Sequence, residues 1–274
     1  MISGLAKNFD KISSNYRNIA KNIYDPVLSI SLKQLHDNKI NLSNPENILD
    51  LGCGDGSTLL KLQADFPRAK FTGVDISKKM LAEASKKMTL TAIQSDINHI
   101  DDILPKQKFD LIFSHFVLGY VDIDTLLSKA NYLLDSKRYI SIATSDEESF
   151  CGIKNIVKDS CSKIRPLKYF IDHKIKQGIK KSKNQIEWAN IESISSQHKF
   201  ELISLEKIKV ECKFMNSSEL FDYIFCGSWG IGELKSYIPI KVYSYCYTKF
   251  LNFLMDFPFT DNAHVNILLL RRMD

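Results

Sequence analysis

No C-x-x-C pair occurs in this chain of 274 residues, and its six cysteines (53, 151, 161, 212, 226, 246) take no metal-ligand spacing with the six histidines. A structural metal and a paired-thiol redox centre are therefore not expected, and free thiols in a reducing cytoplasm are. No run approaches the roughly 18 uninterrupted apolar residues of a membrane span. The first 25 residues are polar and lack an apolar h-region, so no secretory signal peptide is expected. No recognised nucleic-acid-binding module is present, and a pI near 8.7 falls short of a strong basic signal, so nucleic acid is set aside as a partner. What is present is a globular composition, 44% hydrophobic and 25% charged, which supplies a full core. The net charge of +5 is unevenly spread: residues 151–183 hold ten Lys or Arg against two Asp, a basic block on a mildly acidic body.

The densest chemical signal is Ile48-Leu49-Asp50-Leu51-Gly52-Cys53-Gly54-Asp55-Gly56. A short apolar run bounded by glycines reads as a buried strand, and the stretch from Ser57 to Phe66 reads as a helix. Alternate glycines let the backbone turn sharply and let a ligand approach it without meeting a Cβ. The spacing is G-x-G-x-G with no glycine one turn further on, which departs from the dinucleotide pattern. A second β-rich run, Lys70 to Ser77, ends in Asp75, about 20 residues past the loop, where a doubly wound fold carries its ribose-binding carboxylate. A third, Thr91 to Ile97, ends in Asp96. In an open α/β sheet the carboxyl ends of neighbouring strands face one crevice, so Asp50, Asp75 and Asp96 converge on a nucleoside-sized ligand. Acids that merely cap the following helices are the plain alternative.

At these residues the chain resembles the class I S-adenosylmethionine-dependent methyltransferases. ILDLGCGDG is similar to their first motif, FTGVDIS to the second and QSDI to the adenine-contacting one, and the resemblance covers residues 45–145. It implies a Rossmann-like, doubly wound α/β fold with a seven-stranded, mostly parallel sheet and an α-helical cap. It implies S-adenosylmethionine as cofactor, with S-adenosylhomocysteine as product. Gly52, Cys53 and Gly54 would lie under its methionine part, beside Asp50. Asp75 would meet the ribose hydroxyls, Ile76 would pack against the adenine, Asp96 and Ile97 would hold its edge, and Met80 is a further cofactor-binding candidate.

Along the chain, Phe9, Ile12, Tyr16, Ile19 and Ile23 take helical spacing, and Pro26 to Lys39 reads as a second helix. The Phe9–Tyr16 spacing is similar to a pattern of small-molecule methyltransferases, which implies a helix over the crevice with Tyr16 reaching in as a cofactor and catalytic candidate. Strands are expected at 47–51, 70–75, 91–94, 109–115 and 138–144, and helices at 57–66, 78–88 and 122–134, with Ser77 as an N-cap. The fourth strand ends in Ser114 and His115 and leads to Tyr120. In the resembled enzymes such residues sit between cofactor and acceptor. Ser114 is a cofactor candidate, and His115 is either a general base, its reference pKa lying near neutrality, or a group that orients an acceptor carboxylate. A lone histidine is also commonly structural.

Four regions are expected: an N-terminal helical cap over the cofactor site (1–44), the Rossmann-like core (45–145), a basic helical lid (146–198), and the last two strands with a helical, aromatic insertion (199–274, insertion 211–263). A further helix is expected at 186–197, then strands at 200–210 and 264–270. In the basic block Arg165 and Lys168 are candidates to hold an acidic acceptor, against the plain reading of a solvated helix face. The insertion and the flanking residues 5–30 are similar to malonyl-carrier-protein O-methyltransferases, and more loosely to trans-aconitate and juvenile-hormone-acid methyltransferases. That resemblance implies carboxyl O-methylation of a small or acyl-carrier-bound acid. N- or O-methylation of a neutral metabolite with His115 as base, and a non-catalytic cofactor-binding module, are the alternatives.

Overall fold

A computed structural model describes residues 6–7, 9–10, 13, 16–38, 45–104, 107–162, 188–226 and 240–274. Arg165 and Lys168 lie outside the described residues. Residues 6–7 and 9–10 are helical; helix α1 (Tyr16–Asp37) is then followed by β1 (Asn47–Leu51), α2 (Ser57–Asp65), β2 (Lys70–Asp75), α3 (Lys78–Lys87) and β3 (Thr91–Gln94). Then come α4 (Ile100–Ile103), β4 (Phe109–His115), α5 (Ile123–Leu133), β5 (Leu134–Ser145), α6 (Cys151–Ser162) and α7 (Ile191–Gln197). The chain closes with β6 (Phe200–Phe214), α8 (Ser217–Cys226), α9 (Ile240–Leu254) and β7 (Phe259–Arg272).

The seven strands form one sheet in the order β3-β2-β1-β4-β5-β7-β6. β1 to β5 are mutually parallel and β7 runs antiparallel to both its neighbours. The strand order reverses between β1 and β4, and in open α/β sheets the ligand crevice opens at that switch point. This is the Rossmann-like, mostly parallel seven-stranded architecture that the resemblance implies.

Central strands buried on both faces need near-continuous apolar runs, and these strands have them. Ile48, Leu111 and Phe113 face Leu59 and Leu62 of α2, Leu81 of α3 and Leu28 and Leu35 of α1. Leu49, Leu51 and Ile112 face the opposite way, against Leu126, Leu127, Ala130 and Leu133 of α5. A third apolar cluster joins Ile23 and Val27 of α1 to Phe150, Phe214, Leu220, Tyr223, Leu251 and Val265. Each fully buried side chain of this kind stabilises the fold by about 1.5–3 kcal/mol. α3 starts at the side chain expected to cap it, Ser77, whose Oγ accepts from Met80 N at 3.1 Å; α5 is capped by Asp122, whose Oδ1 accepts from Thr125 N at 2.7 Å.

Two local expectations are corrected. A single helix runs from Tyr16 through Pro26 to Asp37. Proline deletes one i→i−4 hydrogen bond and disfavours the turn before it. Here the apolar face of Ile23, Val27, Leu28 and Leu35 is clamped against the sheet, and tertiary packing outweighs the local penalty. The last two strands are also far longer than their apolar cores suggest. β6 pairs with β7 from Phe200–Arg272 to Phe214–Phe259, whereas β5 meets β7 only over residues 265–271. The outer half, β6 from Lys209 onward with β7 up to His264, is a two-stranded ribbon in which backbone pairing sustains a charged stretch such as Lys209-Val210-Glu211-Cys212-Lys213. Part of what reads as insertion is therefore strand.

Candidate active site

The crevice lies at the carboxyl ends of β1, β2, β3 and β4, under α1, and encloses about 1310 Å³ including its open mouth. β1 ends at Asp50 and Leu51, and the chain turns through Gly52, whose φ of 86° is costly for any residue with a Cβ. A Cβ at Gly52 would also meet Val117 Cγ2 at 2.4 Å, so the loop after β4 can close against the glycine loop. Gly52 N and Cys53 N donate to Val74 O at 2.8 and 2.9 Å, and Gly54 N donates to Asp75 Oδ2 at 2.9 Å. Asp75 Oδ1 accepts from Ser77 N at 2.8 Å. One carboxylate thus ties the glycine loop to the start of α3.

Burial pushes the Asp75 carboxyl up, and the amides of Ser77 and Gly54 oppose that rise. Asp50 is more extreme: burial, reinforced by the charge of Asp75, pushes it up to about 8. At neutral pH it is therefore mostly a neutral acid with an O–H to donate. Asp96 Oδ1 accepts from Asn98 N at 2.9 Å and from Asn98 Nδ2 at 2.7 Å. Ile76, Met80 and Ile97 complete this side of the wall. Burial raises the Cys53 thiol and keeps it protonated, so Cys53 is a spacer and not a nucleophile.

The opposite wall is aromatic. Tyr16 and Tyr24 hydroxyls meet at 2.5 Å. Phe9 packs edge-on against Tyr16 and Tyr120, with ring centroids 6.3 and 5.7 Å apart, and Tyr24 lies 4.7 Å from Phe116. Burial raises all three phenols, Tyr120 to about 12, so they remain O–H donors. A Cβ on Gly54 would sit 3.7 Å from the Tyr16 ring, so α1 covers bare loop backbone.

His115 lines the crevice with its ring edge-on to Phe113. Its Nε2 lies 3.0 Å from Ser141 Oγ and 3.5 Å from Ser31 Oγ, and burial pushes its pKa down to about 3. The imidazole is therefore neutral at physiological pH.

The structure brings together Tyr16, Asp50, Gly52, Cys53, Gly54, Asp75, Ile76, Met80, Asp96, Ile97 and His115 along one crevice. Ser114 stands apart: it is fully buried, and its Oγ donates to Leu51 O at 3.3 Å, stitching β4 to β1 behind the loop. Arg165 falls outside the described residues. Tyr24, Asp25, Lys61 and Phe116 also line the crevice and were not singled out from sequence. Tyr24 was within reach, two turns beyond Tyr16 on the same helix. Lys61, paired with Asp25 at 2.5 Å, looks in sequence like any solvated lysine.

Residues 48–137 match the family model of the methyltransferase domain. Over 84 residues the chain is 36% identical to a trans-aconitate 2-methyltransferase of Escherichia coli, covering 30% of this chain and 32% of that protein. Over 170 residues it is 29% identical to a malonyl-[acyl-carrier protein] O-methyltransferase of Ilyobacter polytropus, covering 60% of this chain and 56% of that one. The chain thus spans about a third to just over half of the curated relatives it matches. Its fold is similar to that of the magnesium protoporphyrin IX methyltransferase of Synechocystis PCC 6803 with bound SAM, with TM-score 0.53, 15% identity, and 98% and 95% of the two chains covered. Residues 48–137 thus match a methyltransferase domain, and they are set in a Rossmann-like sheet whose fold is shared with that solved methyltransferase.

Proposed function

We propose that the chain is a methyltransferase that uses S-adenosylmethionine to esterify a small or carrier-bound carboxylic acid. The observation that carries the cofactor part is the crevice itself, where glycine-loop backbone, Asp75, Asp96 and a wall of protonated tyrosines converge. The donor set fits the cofactor: carboxylates for ribose and adenine groups, bare backbone under a methionine, and aromatic faces suited to a sulfonium cation. Tyr16, Gly52, Gly54, Asp75, Ile76, Met80, Asp96 and Ile97 would hold it, and it would supply a methyl group activated by the positive sulfur. The chain's own part is to orient the acceptor and exclude water, where most of the rate gain of such a transfer lies.

The acceptor class turns on His115, the base candidate that the fourth strand brings to the described wall of the crevice. A carboxylate is already ionised near neutral pH and needs no proton removed, whereas a hydroxyl or ammonium acceptor does. With burial holding its pKa near 3, His115 is a poor base for that task. It suits a donor role better. Ser31 Oγ donates to Val27 O at 3.0 Å, and the buried Ser141 hydroxyl lies 3.0 Å from Nε2, where it can donate to a neutral imidazole. With the ring proton on Nδ1, His115 would be free to hold one oxygen of an acceptor carboxylate. Among the described lining residues Lys61 is the one cation, and Asp25 neutralises it, so neutral donors carry the acceptor contacts there. Arg165 and Lys168 would add the charge that attracts an acid. The names of the trans-aconitate and malonyl-carrier-protein relatives support the same class.

Calorimetric titration of S-adenosylmethionine into wild type and Asp75→Ala tests the cofactor site. The expected result is micromolar binding, weakened about 10–100-fold in the variant, the worth of lost charged hydrogen bonds. Methyl transfer to acids and carrier thioesters then tests the acceptor, because a carboxyl ester is cleaved by mild base. A base-stable methylated product would discard the carboxyl reading, and absence of cofactor binding would discard the whole.

A further inference from the structure

We infer that Lys87, on the last turn of α3 and outside the crevice, is a positioning residue for the cofactor loop and acts through the buried carboxylate of Asp55. The inference rests on the cofactor site proposed above. α2 starts without a side-chain cap, because its N-cap position is Gly56, at φ 74°. Asp55 does that work from one residue earlier: its Oδ1 accepts from Ser57 N at 3.2 Å. A carboxylate is favoured at a helix N-terminus, but this one is only 5% exposed and needs a counter-ion. Lys87 supplies it. Its Nζ donates to Asp55 Oδ2 and, at 3.2 Å, to Ser57 Oγ.

α3 comes this close because Gly56 has no Cβ; one built there would meet Ala84 Cβ at 2.7 Å. Ala84 and Lys87 are one turn apart on α3 and press on the same stretch of loop. Asp55 and Ser57 line the crevice whereas Lys87 does not, so the lysine touches no ligand and works through them. The loop is consequently held at two points, by Asp75 under Gly54 and by Lys87 behind Asp55. Without the lysine, a carboxylate stripped of water and counter-ion would swing outward and take the backbone of residues 54–57 with it. The loop would then have to be ordered at the expense of ligand affinity.

A double-mutant cycle on the full chain, read by calorimetric titration of S-adenosylhomocysteine, tests this. Lys87→Met is expected to weaken binding about tenfold or more, and Lys87→Arg to restore most of it. Asp55→Asn/Lys87→Met should bind no worse than Asp55→Asn alone, since the lysine then has nothing to neutralise. Wild-type affinity in Lys87→Met, or additive losses in the double variant, would overturn the inference. If Lys87→Met does not fold, the comparison of Asp55→Asn with the double variant decides alone. Hydrogen exchange at residues 52–58 of the ligand-free protein is the second readout: faster in Lys87→Met and restored in Lys87→Arg. A wild type that binds no S-adenosylhomocysteine would sink the cofactor reading, and this exchange measurement would still decide what Lys87 does.

Discussion

Asp50 and His115 sit at one crevice and are displaced in opposite directions from their ordinary ionisation ranges, both by burial. The sign of each consequence can be worked out. Asp50 keeps its proton in the folded chain up to about pH 8 but loses it near its ordinary value when unfolded. The unfolded state binds fewer protons over that interval, so stability falls as pH rises from about 4 to about 8, by at most ~1.4 kcal/mol per pH unit. His115 has the reverse form: it is neutral when folded and protonates when unfolded, so stability is lost as pH falls from about 6.5 toward 3. Asp50→Asn should therefore flatten the alkaline side of the stability profile, with urea melts at pH 7 and pH 8, where His115 is mostly neutral whether folded or unfolded, moving closer together than in wild type. Parallel curves for the two proteins would show that Asp50 is ionised in the fold.

Among the elements, α6 carries the beginning of the basic block, and its start is pinned to β7. Asp261, 7% exposed, accepts from Ile153 N at 2.8 Å through Oδ2 and from Asn262 N at 2.8 Å through Oδ1. Ser149 Oγ donates to His264 O at 2.7 Å and accepts from His264 N at 2.8 Å. The closeness of the contact is visible at Gly152, where a Cβ would meet Asp261 Oδ2 at 2.9 Å. Asp261→Ala removes the acceptor for the Ile153 amide in the first turn of the helix and should cost about 1–2 kcal/mol, read as a lower urea midpoint with an unchanged slope. None of this local capping is visible in the sequence, because Asp261 is 108 residues from the amide it satisfies.

For the whole molecule, the crevice is walled by two bodies of packing: the glycine loop on the sheet, and α1, which shares its apolar face between the α2–α3 side of the sheet and the cluster under the insertion. A ligand held between Gly54 and Tyr16 joins them. S-adenosylhomocysteine at about 100 times its Kd should add ~2.7 kcal/mol, and a molecule of this size should show that as a rise of several degrees in Tm. Hydrogen exchange should slow in α1 as well as in the loop. Slowing confined to the loop would mean that α1 does not close on the ligand.

The sequence by itself determined the sheet core, the nucleotide-type loop and the acids at three strand ends. These are written in short-range patterns: apolar runs the length of a strand, glycines where φ must be positive, and an acid at each strand end. Ser77 as a cap was legible for the same reason, whereas Tyr16 over the crevice came from the family resemblance and the tie from Asp75 to Gly54 only from the structure. Only the tertiary structure decided what depends on partners distant in the chain. It carried a helix through Pro26 because four apolar residues had a surface to cover, and it extended β6 and β7 because each supplied the other's backbone partners. It also decided the charge states of Asp50 and His115, which follow from burial, and set Ser31 and Ser141 around an imidazole and Lys87 behind Asp55. A serine or a lysine is the same letter whether it faces water or closes a site, and only the packed chain distinguishes the two.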